Sequence, residues 1–167
     1  MGVLFYNKEP NTQLLEKTAF PLNFETVWES DNIVRSVAYA AFPDLSDDIN
    51  EYAGVEFTLD GAFLSQTRSD IAFPGQKTLS MLASGEATSI LVARYDLFLD
   101  EELIFSYVDE LLDIAAGDFN NNYVTFTVPL AGTSAKITIT RQGEGLIRIS
   151  NPKLEEGSSP SRWSPHA

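Results

Sequence analysis

The sequence predicts an all-β protein, an antiparallel β-sandwich, on three observations. Apolar and polar residues alternate with a period of two over several short runs, the pattern of strands with one buried face. Gly, Pro, Asn and Asp interrupt those runs at short intervals, as tight turns require. A chain of 167 residues with 44% hydrophobic content is long enough to bury one good core and too short for two ordinary ones, so a single domain is expected to hold both sheets.

From the amino terminus, Val3-Leu4-Phe5-Tyr6 is a short apolar tetrad, Asn7 to Thr12 is turn-like, and Pro21 interrupts again. Residues 1–22 are therefore expected to form an N-terminal arm docked on another subunit, or the first edge strand. The sandwich is expected over 23–156 and a C-terminal strap over 157–167. Phe24, Thr26 and Trp28 share one face of an extended segment, with Val27 on the other. Val55, Phe57 and Leu59 line one face, and Asp60-Gly61 supplies a turn. Thr88 to Leu99 is more continuously apolar, as a central strand covered on both sides would be. Leu103, Ile104, Tyr107, Val108, Leu111 and Leu112 recur at three- and four-residue spacing, the stripe of one short amphipathic helix around 103–113. Val124, Phe126 and Val128 face one way and Thr125 and Thr127 the other, until Pro129 ends the run. Ala135, Ile137 and Ile139 alternate with Lys136, Thr138 and Thr140. Gln142-Gly143-Glu144-Gly145 then turns the chain into Leu146 to Ile149, predicting a hairpin with a polar outer face.

Charge narrows the function classes. Eleven Lys and Arg against 24 Asp and Glu leave a formal −13. Such a surface repels phosphate, so the counterion-release term that drives nucleic-acid binding works against this chain, and no nucleic acid is expected. There are no cysteines, which excludes disulfides, thiolate zinc sites and cysteine nucleophiles and fits synthesis in a reducing cytoplasm. No run approaches the roughly eighteen apolar residues of a membrane helix, so no membrane insertion is expected. The start lacks the plan of a signal peptide, and Tyr6 breaks the myristoylation pattern that Gly2 opens.

The last part of the chain carries a family resemblance. After Ile149-Ser150-Asn151-Pro152 come Lys153-Leu154-Glu155, one residue, Gly157, a short polar spacer, and Trp163-Ser164-Pro165. This ending resembles that of carbohydrate-binding-module-like jelly rolls, common in bacteriophage tail and other virion proteins. Residues 120–129 and 133–139 are similar to the family's last strands, and Gly75 to Gly85 to a strand used early in its sandwich. The resemblance implies a jelly-roll sandwich and a virion setting. It also implies that Asp100-Glu101-Glu102 is a turn into a return strand over 103–108, so helix and strand both stay open there. Related sugar-binding sandwiches hold a structural calcium through an acidic residue near the final strand; Asn151-Pro152 departs from that pattern.

Catalysis finds little support. The only histidine is His166, one residue from the end, so a Ser-His-Asp triad is not expected. Gly143-Glu144-Gly145 lacks the third glycine and following helix of a phosphate cradle. A carboxylate pair for glycoside hydrolysis stays as a remote alternative, since with 24 acidic residues some pair always lies within range. Asp44, Asp47 and Asp48, with Ser46 among them, form a hard oxygen set suited to calcium, without the glycine and distal glutamate of an EF-hand. Glycan binding needs exposed rings flanked by polar groups, for which Trp28, Tyr39, Tyr52, Tyr95 and Tyr123 are the candidates. Trp163 is expected to anchor the strap, and Val3, Leu4, Phe5 and Tyr6 to dock on a partner.

Together these readings predict a non-catalytic bacteriophage virion structural protein, a capsid decoration or tail accessory protein made in the host cytoplasm. A chain running from its own Met1 to its own end favours that role over a module carried inside a longer fibre. Other virion proteins, capsid or tail, are the expected partners, with self-assembly as a homo-oligomer, a trimer by preference. The alternative is a receptor-binding module recognising a host-surface glycan.

Overall fold

Alternation of the kind seen in Lys136-Ile137-Thr138-Ile139 can bury only one side of a strand, so strands must pair and then stack with their apolar sides inward. The chain does this with ten strands in a computed structural model that describes residues 13–39, 53–85, 89–111 and 120–161. They are β1 Glu29–Asp31, β2 Ile33–Ser36, β3 Gly54–Phe57, β4 Phe63–Arg68, β5 Gly75–Gly85, β6 Ser89–Leu99, β7 Glu102–Leu111, β8 Asn120–Val128, β9 Ser134–Gly143 and β10 Ile147–Glu156. Two five-stranded antiparallel sheets result: sheet I in the order β2-β3-β10-β5-β8 and sheet II in the order β1-β4-β9-β6-β7. The expected sandwich is the observed fold.

Most connections pass from one sheet to the other. Only β2–β3 and β6–β7 are sequence neighbours that also pair. The expected hairpin through Gln142 to Gly145 is therefore not one: β9 belongs to sheet II and β10 to sheet I, and the turn crosses the core. Asn32, with φ of 56°, is the corner at which the chain leaves β1 for β2. The β6–β7 hairpin closes through Asp100 and Glu101, both left-handed at φ of 50° and 71°, as a two-residue turn between twisted strands requires.

Residues 102–111 form β7, an edge strand, and not a helix. The helical stripe is lost because pairing with β6 from Leu91 to Leu99 alternates the faces: Phe105 and Tyr107 turn to the core beside Leu97 and Tyr95, while Ser106 and Val108 turn out. Residue 112 lies outside the described residues. Strand β6 is central but not covered on both sides. Leu91, Ala93, Tyr95 and Leu97 are buried, whereas Arg94 opposite them is exposed. The strand buried on both sides is β5, where every residue from Lys77 to Ser84 is buried.

The core lies between the sheets. Val55, Phe57, Leu79, Met81, Val124, Phe126, Val128, Ile147, Ile149 and Leu154 of sheet I meet Leu64, Leu91, Tyr95, Leu97, Ile137 and Ile139 of sheet II. Leu59, expected beside Val55 and Phe57, is 55% exposed because β3 ends at Phe57. Phe24 to Thr26 is a short 3-10 turn and not an extended run.

Residues Gln13 to Phe20 plug the side of the sandwich. Beyond Ile149, strand β10 has no β3 beside it, and Gln13 takes that place: its Nε2 donates to the Pro152 carbonyl at 3.1 Å and its Oε1 accepts the Leu154 N–H at 3.1 Å. Leu14 N–H donates to the Leu154 carbonyl at 2.9 Å. Leu15 and Phe20 are fully buried, and Phe20 packs edge-on against Phe24.

A bulge in β10 explains the Lys-Leu-Glu run. Ser150 pairs with Leu82 and Lys153 with Ser80, so two residues, Asn151 and Pro152, stand opposite one. Asn151 adopts φ of 55°, its side chain bonds Ser150, and proline is tolerated where the ladder is already broken. The extra residue inverts the phase. Ile147 and Ile149 face inward before it and Leu154 after it, which puts Lys153 and Glu155 on the outer side.

Candidate functional site

The two sheets differ in what covers their outer sides. On sheet I the strap returns over the strands. Gly157 N–H donates to the Gln76 carbonyl at 2.9 Å, Thr78 Oγ1 donates to the Gly157 carbonyl at 2.8 Å, and Thr125 Oγ1 donates to the Ser158 carbonyl at 3.3 Å. Lys153 and Glu155 are buried beneath Ser161. The 3-10 turn Val37–Tyr39 lies so close to β3 that a Cβ at Gly54 would collide with the Tyr39 carbonyl.

Among the described residues no segment lies over the outer side of sheet II. Strand register sets its residues in rows across the strands. One row runs Glu29, Ser65, Thr138, Arg94, Val108, and the next Thr67, Lys136, Asp96, Ser106. A third runs Asp31, Phe63, Thr140, Val92, Glu110. At the opposite end Ser134, Phe98 and Leu103 make a short fourth row. The middle is thus polar, and the half-buried rings of Phe63 and Phe98 stand at diagonal corners.

Asp96 is the best-held group of this face. It is 8% exposed, both carboxylate oxygens accept Arg94 Nε, at 2.8 and 2.9 Å, and Oδ1 also accepts Ser106 Oγ at 2.5 Å. Arg94 makes these bonds through Nε, and its backbone position pairs with Thr138. Lys136 and Glu29 form a looser pair, 4.0 Å apart with the Glu29 side chain 72% exposed. Ser65 lies between Glu29 and Thr138 and is fully buried. Such a surface offers fixed donors and acceptors to hydroxyl groups, with apolar rings to either side.

Of the aromatic candidates read from the sequence, Trp28, Tyr39, Tyr95 and Tyr123 lie away from this face. Trp28 is a core residue, 2% exposed, whose Nε1 donates to the Glu16 and Lys17 carbonyls at 3.0 and 3.2 Å. Tyr95 is 1% exposed, its hydroxyl donates to the Ile71 carbonyl at 2.7 Å, and burial pushes that hydroxyl up to about 12. Neither ring is available as a platform, because both project from inward positions between the sheets. Tyr39 is half-buried with the Arg148 guanidinium 4.4 Å from its ring centre, and Arg148 pairs with Glu56 at 2.9 Å. Tyr123 is 54% exposed, on edge strand β8 and the outer side of sheet I. Tyr52, the set Asp44, Asp47 and Asp48, the tetrad Val3 to Tyr6, and Trp163 lie outside the described residues. Among the described residues no three His, Cys, Asp or Glu side chains gather as metal ligands.

The residues of the open face were present in the sequence only as the polar half of each alternation, such as Lys136, Thr138 and Thr140 in β9. That β4, β9 and β6 lie side by side could not be read from spacing.

No family model matches the sequence, and no curated protein matches it. Solved structures do match in fold. The enzymatically active domain of tailspike protein 4 from bacteriophage CBA120 superposes with a TM-score of 0.64 at 14% identity, over 87% of this chain and 21% of that one. The chain therefore spans about a fifth of the length of that solved domain. The CBM22-1 xylan-binding domain of Paenibacillus barcinonensis Xyn10C gives 0.58 at 8% identity, over 91% of this chain and 99% of that one. TmCBM61, solved with beta-1,4-galactotriose, gives 0.55 at 16% identity, over 87% and 99%. The fold is that of a carbohydrate-binding-module-like jelly roll.

Proposed function

We propose that this chain is a non-catalytic glycan-binding module whose binding face is the outer side of sheet II. One observation carries the reading. Among the described residues the strap and Val37–Tyr39 cover part of the outer side of sheet I, whereas no described segment lies over that of sheet II, which places Ser65, Thr138, Arg94, Asp96 and Lys136 between Phe63 and Phe98. Sugar chains present hydroxyls along their rims and C–H groups on their faces, so a polar centre with flanking rings suits them. The likeness to the xylan-binding domain and to the galactotriose-bound module supports this reading. The experiment is a glycan array probed with the full chain, followed by titration of the best hit against wild type and Arg94→Ala. The variant is expected to bind at least tenfold more weakly, since a charged donor is lost. Unchanged affinity would move the site to another surface, with Tyr123 as the next candidate.

A second reading concerns setting and is supported by the tailspike domain: a virion component of tail or capsid, assembled as a homo-oligomer, a trimer by preference. Acidic surfaces repel one another, so self-association would rest on apolar contacts that survive salt. Sedimentation at low and high salt is expected to show an oligomer that high salt preserves. A monomer at every concentration and salt overturns the oligomer.

A further inference from the structure

Ser65 stands apart from its neighbours on the open face. It is fully buried, and its Oγ is the only buried side-chain oxygen or nitrogen among the described residues without a hydrogen-bond partner. An unpaired buried hydroxyl is unfavourable, and alanine would fill the same space without that penalty. The position is central. Ser65 pairs with Glu29 on one side and Thr138 on the other, and Arg94 follows Thr138 in the same row. The Glu29–Lys136 pair runs beside it, long at 4.0 Å and largely in solvent. A pair of that kind is screened and contributes little, so it parts easily.

We propose that Ser65 is a specificity group of this face: its hydroxyl exchanges a hydrogen bond with a hydroxyl of an uncharged sugar that enters beside Thr138 as Glu29 and Lys136 separate. The inference rests on reading sheet II as a glycan surface and adds the ligand class. Charge decides that class. Glu29, Asp31, Asp96 and Glu110 outnumber Arg94 and Lys136 on the face, both cations already have carboxylates beside them, and the whole chain carries −13. A uronate or sulfated sugar would meet net repulsion, whereas a hydroxyl, which donates and accepts as serine does, would not. A functional site also explains why the sequence keeps a group that lowers stability.

The test uses the full chain and its Ser65→Ala variant. A glycan array carrying neutral galactans, xylans and glucans beside polygalacturonate and sulfated polymers identifies the class, and calorimetric titration with the strongest neutral hit gives the affinity. Wild type is expected to hold neutral glycans only, with an affinity that added salt does not reduce. Ser65→Ala is expected to weaken that affinity roughly tenfold while its melting temperature stays level or rises. Unchanged affinity, or a melting temperature lowered by more than about 2 °C, would show that the hydroxyl serves the fold; the specificity role then fails and the glycan reading stands. Preference for an anionic glycan overturns the ligand class alone. Retention of no glycan overturns both readings.

Discussion

Glu155 and Ser161 are bound twice: the serine Oγ donates to Glu155 Oε1 at 2.6 Å and the serine N–H to Oε2 at 3.1 Å. Lys153 joins them, its Nζ donating to Ser161 Oγ at 3.0 Å and lying 3.9 Å from Glu155 Oε2. Both charged side chains are essentially inaccessible, at 1% and 0% exposure. A serine of the strap thus completes a buried ion pair on the outer side of sheet I, which accounts for the polar ends of the Lys-Leu-Glu run.

Removing one partner of that pair takes an opposite charge from the other in a dry site. Glu155→Ala is expected to cost about 3–5 kcal/mol in urea unfolding, whereas the double change Lys153→Met, Glu155→Leu is expected to recover most of it. A single change costing under about 1 kcal/mol would show that the strap lifts off readily.

The bulge sets the phase of β10. Asn151 and Pro152 stand opposite one residue, so deleting Asn151 alone leaves one against one and keeps Lys153 and Glu155 outward and Leu154 inward; that variant is expected to fold. Deleting both Asn151 and Pro152 is expected to turn Lys153 and Glu155 into the core and Leu154 out, and so to abolish folding. Loss of the β-type circular dichroism spectrum and of dispersed amide resonances in the double deletion alone would report it. A double deletion that still unfolds cooperatively would mean that the register beyond Ser150 is not tied to the bulge.

Lys77 is a second buried cation. Its Nζ donates to the Phe73 carbonyl at 2.5 Å and lies 3.8 Å from the Phe73 ring centre, and burial draws the amine down to about 8 from 10.5. The folded state therefore holds fewer protons than the unfolded state between pH 8 and 10.5, and stability from this group rises with pH across that window. Wild type is expected to gain stability relative to Lys77→Met as pH climbs from 8 to 10.5. Parallel pH profiles for the two proteins would place Lys77 in contact with solvent.

Tyr95 belongs to the core and not to a binding surface. Tyr95→Phe leaves the Ile71 carbonyl unpaired and is expected to lower stability by about 1–3 kcal/mol without altering glycan affinity. Tyr123→Ala, on the surface, is expected to stay within about 0.5 kcal/mol of wild type. A Tyr95 variant of full stability but altered binding would reverse the assignment of that ring.

The strand class of this protein was written locally. Val124, Phe126 and Val128 against Thr125 and Thr127, or Ala135, Ile137 and Ile139 against Lys136 and Thr138, alternate because a pleated strand has only two sides, and each such segment carries its own burial pattern wherever it goes. Strand β5, from Gly75 to Gly85, carries no such alternation, since every residue from Lys77 to Ser84 is buried, and it was legible only through its resemblance to a jelly-roll strand. Which strands become neighbours is a different kind of fact. Gln142 to Gly145 looks like a hairpin turn, yet β9 and β10 part into different sheets, because pairing is settled by which inward faces fill one shared core. Local spacing suggested a helical stripe around 103–113 and the resemblance a strand over 103–108, and it is β6 that supplies the partner which alternates the faces and makes 102–111 a strand. The candidate site depended on those long-range choices throughout. Ser65, the pair Arg94 and Asp96, and Lys136 lie far apart in the chain and are unremarkable as single residues; they meet only because β4, β9 and β6 pair side by side, and the described part of the strap folds back over the other sheet.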